Sequence, residues 1–406
     1  MIPTNTFYAH KTDTCNGVAQ KLNKTALSLP KSGIREFFAL ESAREDCLSL
    51  SVGEPNFPTP VEFLQGGIEC LQNGNTHYTE NCGDINLRCA ISKYLQSFIG
   101  VEYDATSEII ITNGCSEGID ITLRAICEAG DEVIIPQPNF VCYAPLIQLC
   151  GGVPHLLDCK SENGFQIDIN DLENTITDKT KAIVLSYPNN PTGAMLDRKT
   201  LRQIADIAIK HDLIVISDEI YGELTYEEKF ISIASLDNMF ERTVILSGFS
   251  KNFAMTGLRI GYVCAPKQIA NVLKTIHQYC AMCASTISQN VALTALNVSF
   301  NNGFAQLNAM KEAYATRRRY LYDRLRSLNF SASIPQGAFY VFANVSSTGM
   351  DGNAFSRALL QNQNVAVVPG NAFGNNSEDF VRISFASSQN TIERALDRID
   401  NFLDTL

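Results

Sequence analysis

At 406 residues, with 45% hydrophobic and 18% charged side chains, the chain has the balance of a folded protein larger than one compact core, which excludes long disorder. A net charge of −11 leaves no basic face for nucleic acid or an anionic membrane, so a bound anion must meet individually placed arginines. Thirteen cysteines without framework spacing read as reduced thiols; with no signal-peptide core, transit pattern or membrane-length apolar run, the expected location is the cytoplasm.

Residues 1–30 are polar and without pattern. SGIREFFAL then opens an amphipathic segment, and SVGEPNFPTP reads as an extended loop pinned by prolines. From about residue 60, helical stretches alternate with short β-branched runs. EIIIT (108–112), EVIIP (132–136), AIVLSYP (182–188), LIVISDE (213–219), TVILS (243–247) and IGYVCA (260–265) are the predicted strands. Their unbroken apolar character suits strands buried on both faces, so a mainly parallel α/β sheet with helical crossovers is expected. One helical stretch is predicted over 266–299 and a second over 304–328, whose RRR run reads as a solvated face. A smaller α+β region follows. Cys280 and Cys283 form a lone CxxC, read as helix packing, and no metal site is expected.

Ligands of open α/β sheets sit at the carboxyl ends of the strands, and four motifs fall there. TNGCSEG (112–118) is a strand, a small-residue turn and a helix start, which suits a phosphate although many such turns are merely structural. YPNNPTG (187–193) holds out Asn189 and Asn190, or is simply a turn before a helix. SDEIYG (217–222) ends a buried strand on Asp218, which needs a positive partner, with Tyr221 three residues on. LSGFSKNFAMTGLRIGY (246–262) sets Lys251 among small and aromatic residues without an acid nearby. Desolvation would lower such an amine's pKa and make it a nucleophile and base, while Arg259 suits a phosphate. Together these describe one ligand: a phosphorylated pyridine aldehyde that forms a Schiff base with Lys251 while Asp218 keeps the ring nitrogen protonated.

From SGIREFF to VRISFA the chain resembles the class I/II aminotransferases of the aspartate aminotransferase superfamily, the fold type I pyridoxal-phosphate enzymes. SVGEPNFPTP, HYTENCGDINLR, NNPTG, DEIY, FSKNFAMTGLRIGY, PQGAFY, VVPGNAFG and VRISF stand in the family's order. The resemblance implies a large domain (61–299) with a mostly parallel sheet between helices, a smaller α+β domain (300–406), and an N-terminal arm and segment (1–60) contributing to the latter. It implies pyridoxal 5'-phosphate as cofactor, and an L-amino acid and a 2-oxo acid as substrates of a ping-pong reaction. Gly114, Cys115, Ser116 and Ser250 would hold the phosphate and Arg259 would pair with it. Phe140 and Ile220 would flank the ring, and Asn190 and Tyr221 would contact its hydroxyl. Lys251, Asp218 and Tyr221 would be catalytic; Gly53, Asn190 and Arg382 would bind substrate, Arg382 through the α-carboxylate. Tyr78 would reach the neighbouring subunit's phosphate, implying a homodimer with shared sites. Two positions depart from the family pattern: Gly248 stands where many relatives have serine, and Cys115 where Gly, Ser or Ala is usual.

A competing reading with the same lysine, aspartate and tyrosine is a C–S lyase. A second, a transcription regulator with an aminotransferase-like domain, needs a DNA-binding domain, and the roughly 30 residues before the first motif are too few and not basic. Side-chain specificity stays open. Arg35, Arg44 and Arg124 are candidates for a distal carboxylate, Phe339 and Tyr340 for an aromatic pocket.

Overall fold

In the computed structural model, which describes residues 21–30 and 33–406 (for Arg35 and Glu36 the backbone alone), the β-branched runs become strands. In chain order the strands are β1 (Leu48–Ser49), β2 (Ile109–Thr112), β3 (Glu132–Gln137), β4 (Val153–Asp158), β5 (Thr180–Ser186), β6 (Ile214–Asp218) and β7 (Thr243–Gly248). They continue with β8 (Gly261–Cys264), β9 (Ser331–Ala332), β10 (Tyr340–Asn344), β11 (Val365–Ala366), β12 (Val368–Pro369) and β13 (Phe380–Ser384).

A seven-stranded sheet has the order β2-β8-β7-β6-β5-β3-β4 and is parallel except for β8, which runs against both its neighbours. Its strands are buried on both faces. Ile110, Val133, Ile135, Val184 and Ile216 enter one core with the helices Cys115–Ile126 and Lys267–Cys280. Their alternate neighbours Ile109, Ile111 and Ile245 enter a second core, and Ile134, Ile183 and Val215 a third. This double burial is why the runs read as continuous apolar stretches rather than as alternating ones.

Strand β4 was not predicted. It is the sheet's edge, and its sequence VPHLLD is mostly half-exposed or exposed, so it lacks the buried-strand signature. The helical stretch expected over 266–299 divides into Lys267–Cys280 and Thr286–Asn302. Met282 takes a left-handed φ of 65° in the break, and Ser285 caps the second helix by accepting from Ser288 N. Cys280 is thus exposed at a helix end and Cys283 lies half-buried in the turn, rather than both packing inside one helix.

A four-stranded antiparallel sheet, β12-β13-β10-β9, and the parallel pair β1-β11 complete the strands. The pair joins residues 48–49 to 365–366, so the segment before the first large helix is stitched to the C-terminal part. The helix Ala305–Ser327 carries the RRR run, which is not a uniformly solvated face. Arg318 is buried, donates to Glu227 Oε1 at 2.6 Å and lies over the Tyr226 ring, while Arg317 donates to Asn56 and covers Phe57.

These elements belong to the unit Ser32–Leu406. In the unit Met1–Lys31 the described residues form a short helix, Lys24–Ser28, whose first turn is capped where Asn23 accepts from Ala26 N at 3.0 Å. Among the described residues no helix is long and apolar enough to cross a membrane.

Candidate active site

The strands β2, β3, β5, β6 and β7 point the same way, so their carboxyl ends share one edge of the sheet. The loops leaving that edge carry Gly114, Phe140, Asn190, Tyr221 and Lys251. They surround a cavity of about 560 Å³. Its lining brings together Gly53, Cys115, Ser116, Phe140, Asn190, Asp218, Ile220, Tyr221, Ser250, Lys251, Arg259 and Arg382, positions more than 300 residues apart in the chain. Tyr78 is not among the lining residues; it is 81% exposed.

Lys251 Nζ donates to the Gly53 carbonyl at 2.6 Å and stands 5.8 Å from the centre of the Tyr221 ring. Burial, reinforced by the positive charge of Arg382, brings its amine down to about 8; Glu54 opposes the shift. Gly53 itself is confined, because a Cβ there would sit 2.9 Å from the Tyr340 hydroxyl.

Asp218 closes β6 and is buried. Its Oδ2 accepts from Tyr143 O–H at 2.7 Å, and its Oδ1 from Ile220 N at 3.2 Å and from the Cys115 thiol at 3.7 Å. Burial raises its pKa, and these hydrogen bonds offset only part of the rise. Burial likewise holds the Cys115 thiol well above its ordinary value, and Asp218 adds to the shift, so the sulfur is a weak donor rather than a reactive thiolate. Tyr143 had no signal in the sequence. Only the fold brings it to Asp218, from a separate helix.

The helix Cys115–Ile126 begins at Gly114, whose φ of 78° needs a residue without Cβ, and no side chain caps its first turn. A Cβ at Gly114 would also collide with the Arg259 guanidinium, which packs against this turn. The free first-turn N–H groups, Arg259 and Ser250 face the same cavity and form a cradle suited to a phosphate. The glycine at 248 has a local cause. It pairs with Gly261 of β8, and a Cβ on Gly248 would stand 2.8 Å from Gly261 Cα.

Arg382 comes from β13, and its side chain is buried. Nη1 donates to Asn190 Oδ1 at 2.9 Å and Nη2 to the Ser51 carbonyl at 2.6 Å, while Nε has no partner among the described residues. The guanidinium lies over the rings of Tyr340, at 4.3 Å, and Phe373, at 4.9 Å. Glu378 and Asp379 are exposed and form no ion pair with it. Burial lowers its pKa. A buried cation held by neutral acceptors has room for an incoming anion.

Asn189 is not available to a ligand as expected: its amide donates to the carbonyls of Pro138 and Ser186, and its oxygen accepts from Thr192. Tyr340, considered for an aromatic pocket, hydrogen-bonds Tyr221 hydroxyl to hydroxyl at 2.9 Å and lines the cavity. Arg124 pairs with Asp120, and neither Arg124 nor Arg44 lines the cavity; the Arg35 side chain lies outside the described residues. The sequence also gave no sign that the helix Gly33–Ser42 would line the cavity, through Ile34, Phe38, Glu41 and Ser42. Ser51 holds Glu41 by a hydrogen bond, tying that helix to the strand segment that receives Arg382.

The sequence model of the family described as aminotransferase class I and II matches residues 45–399. An aspartate aminotransferase of Pyrococcus abyssi is 41% identical over 373 positions, covering 92% of this chain and 95% of its own. The aromatic-amino-acid aminotransferase 2 of Thermococcus litoralis is 39% identical, with 92% and 95% covered. Among solved structures, an aromatic aminotransferase of Pyrococcus horikoshii superposes with a TM-score of 0.86 at 39% identity, covering 91% of this chain and 99% of that one.

Proposed function

Because the chain belongs to the aminotransferase class I and II family, and so is an enzyme of amino-group transfer, we propose that it works with pyridoxal 5'-phosphate in two half-reactions. The first takes the amino group from an L-amino acid and the second passes it to a 2-oxo acid. One observation carries this reading: a buried amine of lowered pKa shares a single cavity with a buried carboxyl that has no cationic partner, and a buried arginine that has no anionic one, among the described residues.

The residues present fit that cofactor. Gly114, Cys115, Ser116, Ser250 and Arg259 would hold its phosphate. Phe140 and Ile220 would flank the ring, and Asn190 and Tyr221 would face its hydroxyl. Asp218, whose raised pKa reflects burial without a counter-ion, would be relieved by a proton held on the ring nitrogen. When bound, the cofactor supplies an electron-withdrawing ring that stabilises negative charge at substrate Cα. Arg382 and Gly53 orient the substrate carboxylate. Lys251 Nζ, in its neutral form, accepts the proton leaving Cα and redelivers it. The hydroxyl of Tyr221 is held by that of Tyr340.

The test is a half-reaction. With one amino acid and no 2-oxo acid, the loaded enzyme is expected to release one equivalent of 2-oxo acid per site and stop, then resume when an acceptor is added. Continuous release of pyruvate and thiol from a cysteine-type donor would instead make it a C–S lyase. A panel of aspartate, alanine and aromatic donors in the same assay identifies the donor, since the relatives' names span the first and last of these.

We further propose a homodimer with shared sites, supported by Tyr78 standing exposed and outside its own chain's cavity lining. An inactive Lys251→Ala chain mixed with an inactive Tyr78→Phe chain is expected to regain part of the activity, because one site of each mixed dimer escapes both lesions. No recovery after proven subunit exchange would refute the sharing.

A further inference from the structure

One pair of ionisable groups, a wholly buried histidine and a half-buried glutamate, takes no part in the chemistry above. Glu117 is the third residue of the helix Cys115–Ile126, and His277 lies in the last turn of Lys267–Cys280 with its side chain wholly buried. Glu117 Oε2 accepts from the backbone N–H of Asn113 at 2.6 Å and from the Asn113 side-chain amide at 2.9 Å. Its other oxygen, Oε1, stands 3.0 Å from His277 Nδ1. A glutamate at the third helical position commonly reaches back to the capping residue. Here it reaches one residue further, to the chain entering the turn, and its second oxygen is anchored to another helix.

Burial alone would raise the Glu117 carboxyl, but the hydrogen bonds from His277 and Asn113 outweigh it and hold its pKa below the ordinary value. The carboxylate can only accept, so Nδ1 is the donor. Among the described residues His277 Nε2 is buried without a partner, so there the ring's one hydrogen bond is the one to Glu117.

The turn that this carboxylate grips is the cradle. Thr112 holds Gly114 from both sides: its carbonyl accepts from Gly114 N at 2.9 Å and its hydroxyl donates to the Gly114 carbonyl at 2.9 Å. Gly261 of β8 presses from below, since a Cβ there would lie 2.6 Å from Cys115 N. Asn113 is the remaining side of the turn, and Glu117 holds it. We propose that Glu117 and His277 are positioning residues that set the direction of the first-turn N–H groups at Gly114–Ser116, so that removing their link weakens binding of the cofactor's phosphate specifically. This rests on the reading above that a phosphate occupies the cradle.

The experiment titrates the cofactor-free enzyme with pyridoxal 5'-phosphate and, in parallel, with pyridoxal, which has the aldehyde and ring but no phosphate. The wild-type chain must first bind the phosphorylated form more tightly; equal affinities would sink the phosphate reading and this inference together. His277→Phe fills the same space without a donor, and Glu117→Ala removes the acceptor. Each is expected to lose about tenfold or more in affinity for pyridoxal 5'-phosphate and less than about twofold for pyridoxal. His277→Asn, whose amide nitrogen can stand where Nδ1 stood, is expected to recover most of the loss. Thermal melting of the same proteins accompanies the titrations. Equal losses for both ligands with a lowered Tm would show the pair to be merely structural. Unchanged affinity for the phosphorylated form in His277→Phe would overturn the proposal, as would failure of His277→Asn to differ from it.

Discussion

A Lys251→Ala chain is expected to lose transamination by at least about 10³-fold and to lose the visible absorbance of the lysine-bound cofactor. The loss would be double, because in the proposed mechanism the same Nζ both anchors the aldehyde and moves the Cα proton, and no other amine lines the cavity among the described residues. The wild-type chain adds a pH test. Only the neutral amine attacks an aldehyde, and burial together with Arg382 places this amine near 8 instead of 10.5. In cofactor-free enzyme the rate of aldehyde capture should therefore rise with pH as Nζ loses its proton, and level off above about 8. A lysine of ordinary basicity would still be accelerating well beyond that point. Retained absorbance and turnover in Lys251→Ala would remove this residue from the centre of the mechanism.

Arg382→Lys is expected to lower kcat/KM by on the order of 2 to 4 kcal/mol of transition-state stabilisation, about 30- to 1,000-fold. The structure explains the size. Arg382 is a buried cation held by two neutral oxygens and two aromatic rings, its Nε unpartnered among the described residues, and in the proposed mechanism the substrate's α-carboxylate supplies the counter-charge. A lysine keeps the charge but cannot make the two-pronged contact, nor can it hold Asn190 and the Ser51 carbonyl at once. The cofactor spectrum should stay unchanged, because the proposed role of Arg382 is toward the substrate. Amines without a carboxylate should be affected far less. Equal losses for carboxylated and uncarboxylated amines, or loss of bound cofactor, would mean that Arg382 serves the fold.

Much of this site was readable in the chain because its parts are short and local. Strand, turn and helix start follow one another around Gly114. Asp218 and Tyr221 lie three residues apart, and Lys251 follows an apolar strand directly. Such motifs depend on backbone conformations that neighbouring residues dictate. Tyr143 and the helix Gly33–Ser42 were missed for the opposite reason: nothing beside them in sequence marks them, and they reach the cavity only through packing, as does the hydroxyl contact of Tyr340 with Tyr221. Asn189 was misjudged because sequence cannot tell which of two adjacent amides the turn consumes internally. Arg318 resembled its exposed neighbour Arg319, yet the helix rotates it inward onto Tyr226 and Glu227.

By itself, then, the sequence determined the α/β class, the run of strands buried on both faces, and the chemical identity of the groups at the strand ends, since hydrophobic periodicity and turn chemistry act over a few residues. Only the tertiary structure decided that β8 runs antiparallel, that β4 closes an edge, and that Lys251 meets the carbonyl of Gly53 across nearly 200 residues of chain. It also decided the properties that make these groups useful. The lowered amine of Lys251, the raised carboxyl of Asp218 and the unpaired charge of Arg382 all follow from burial, and burial belongs to the packed whole.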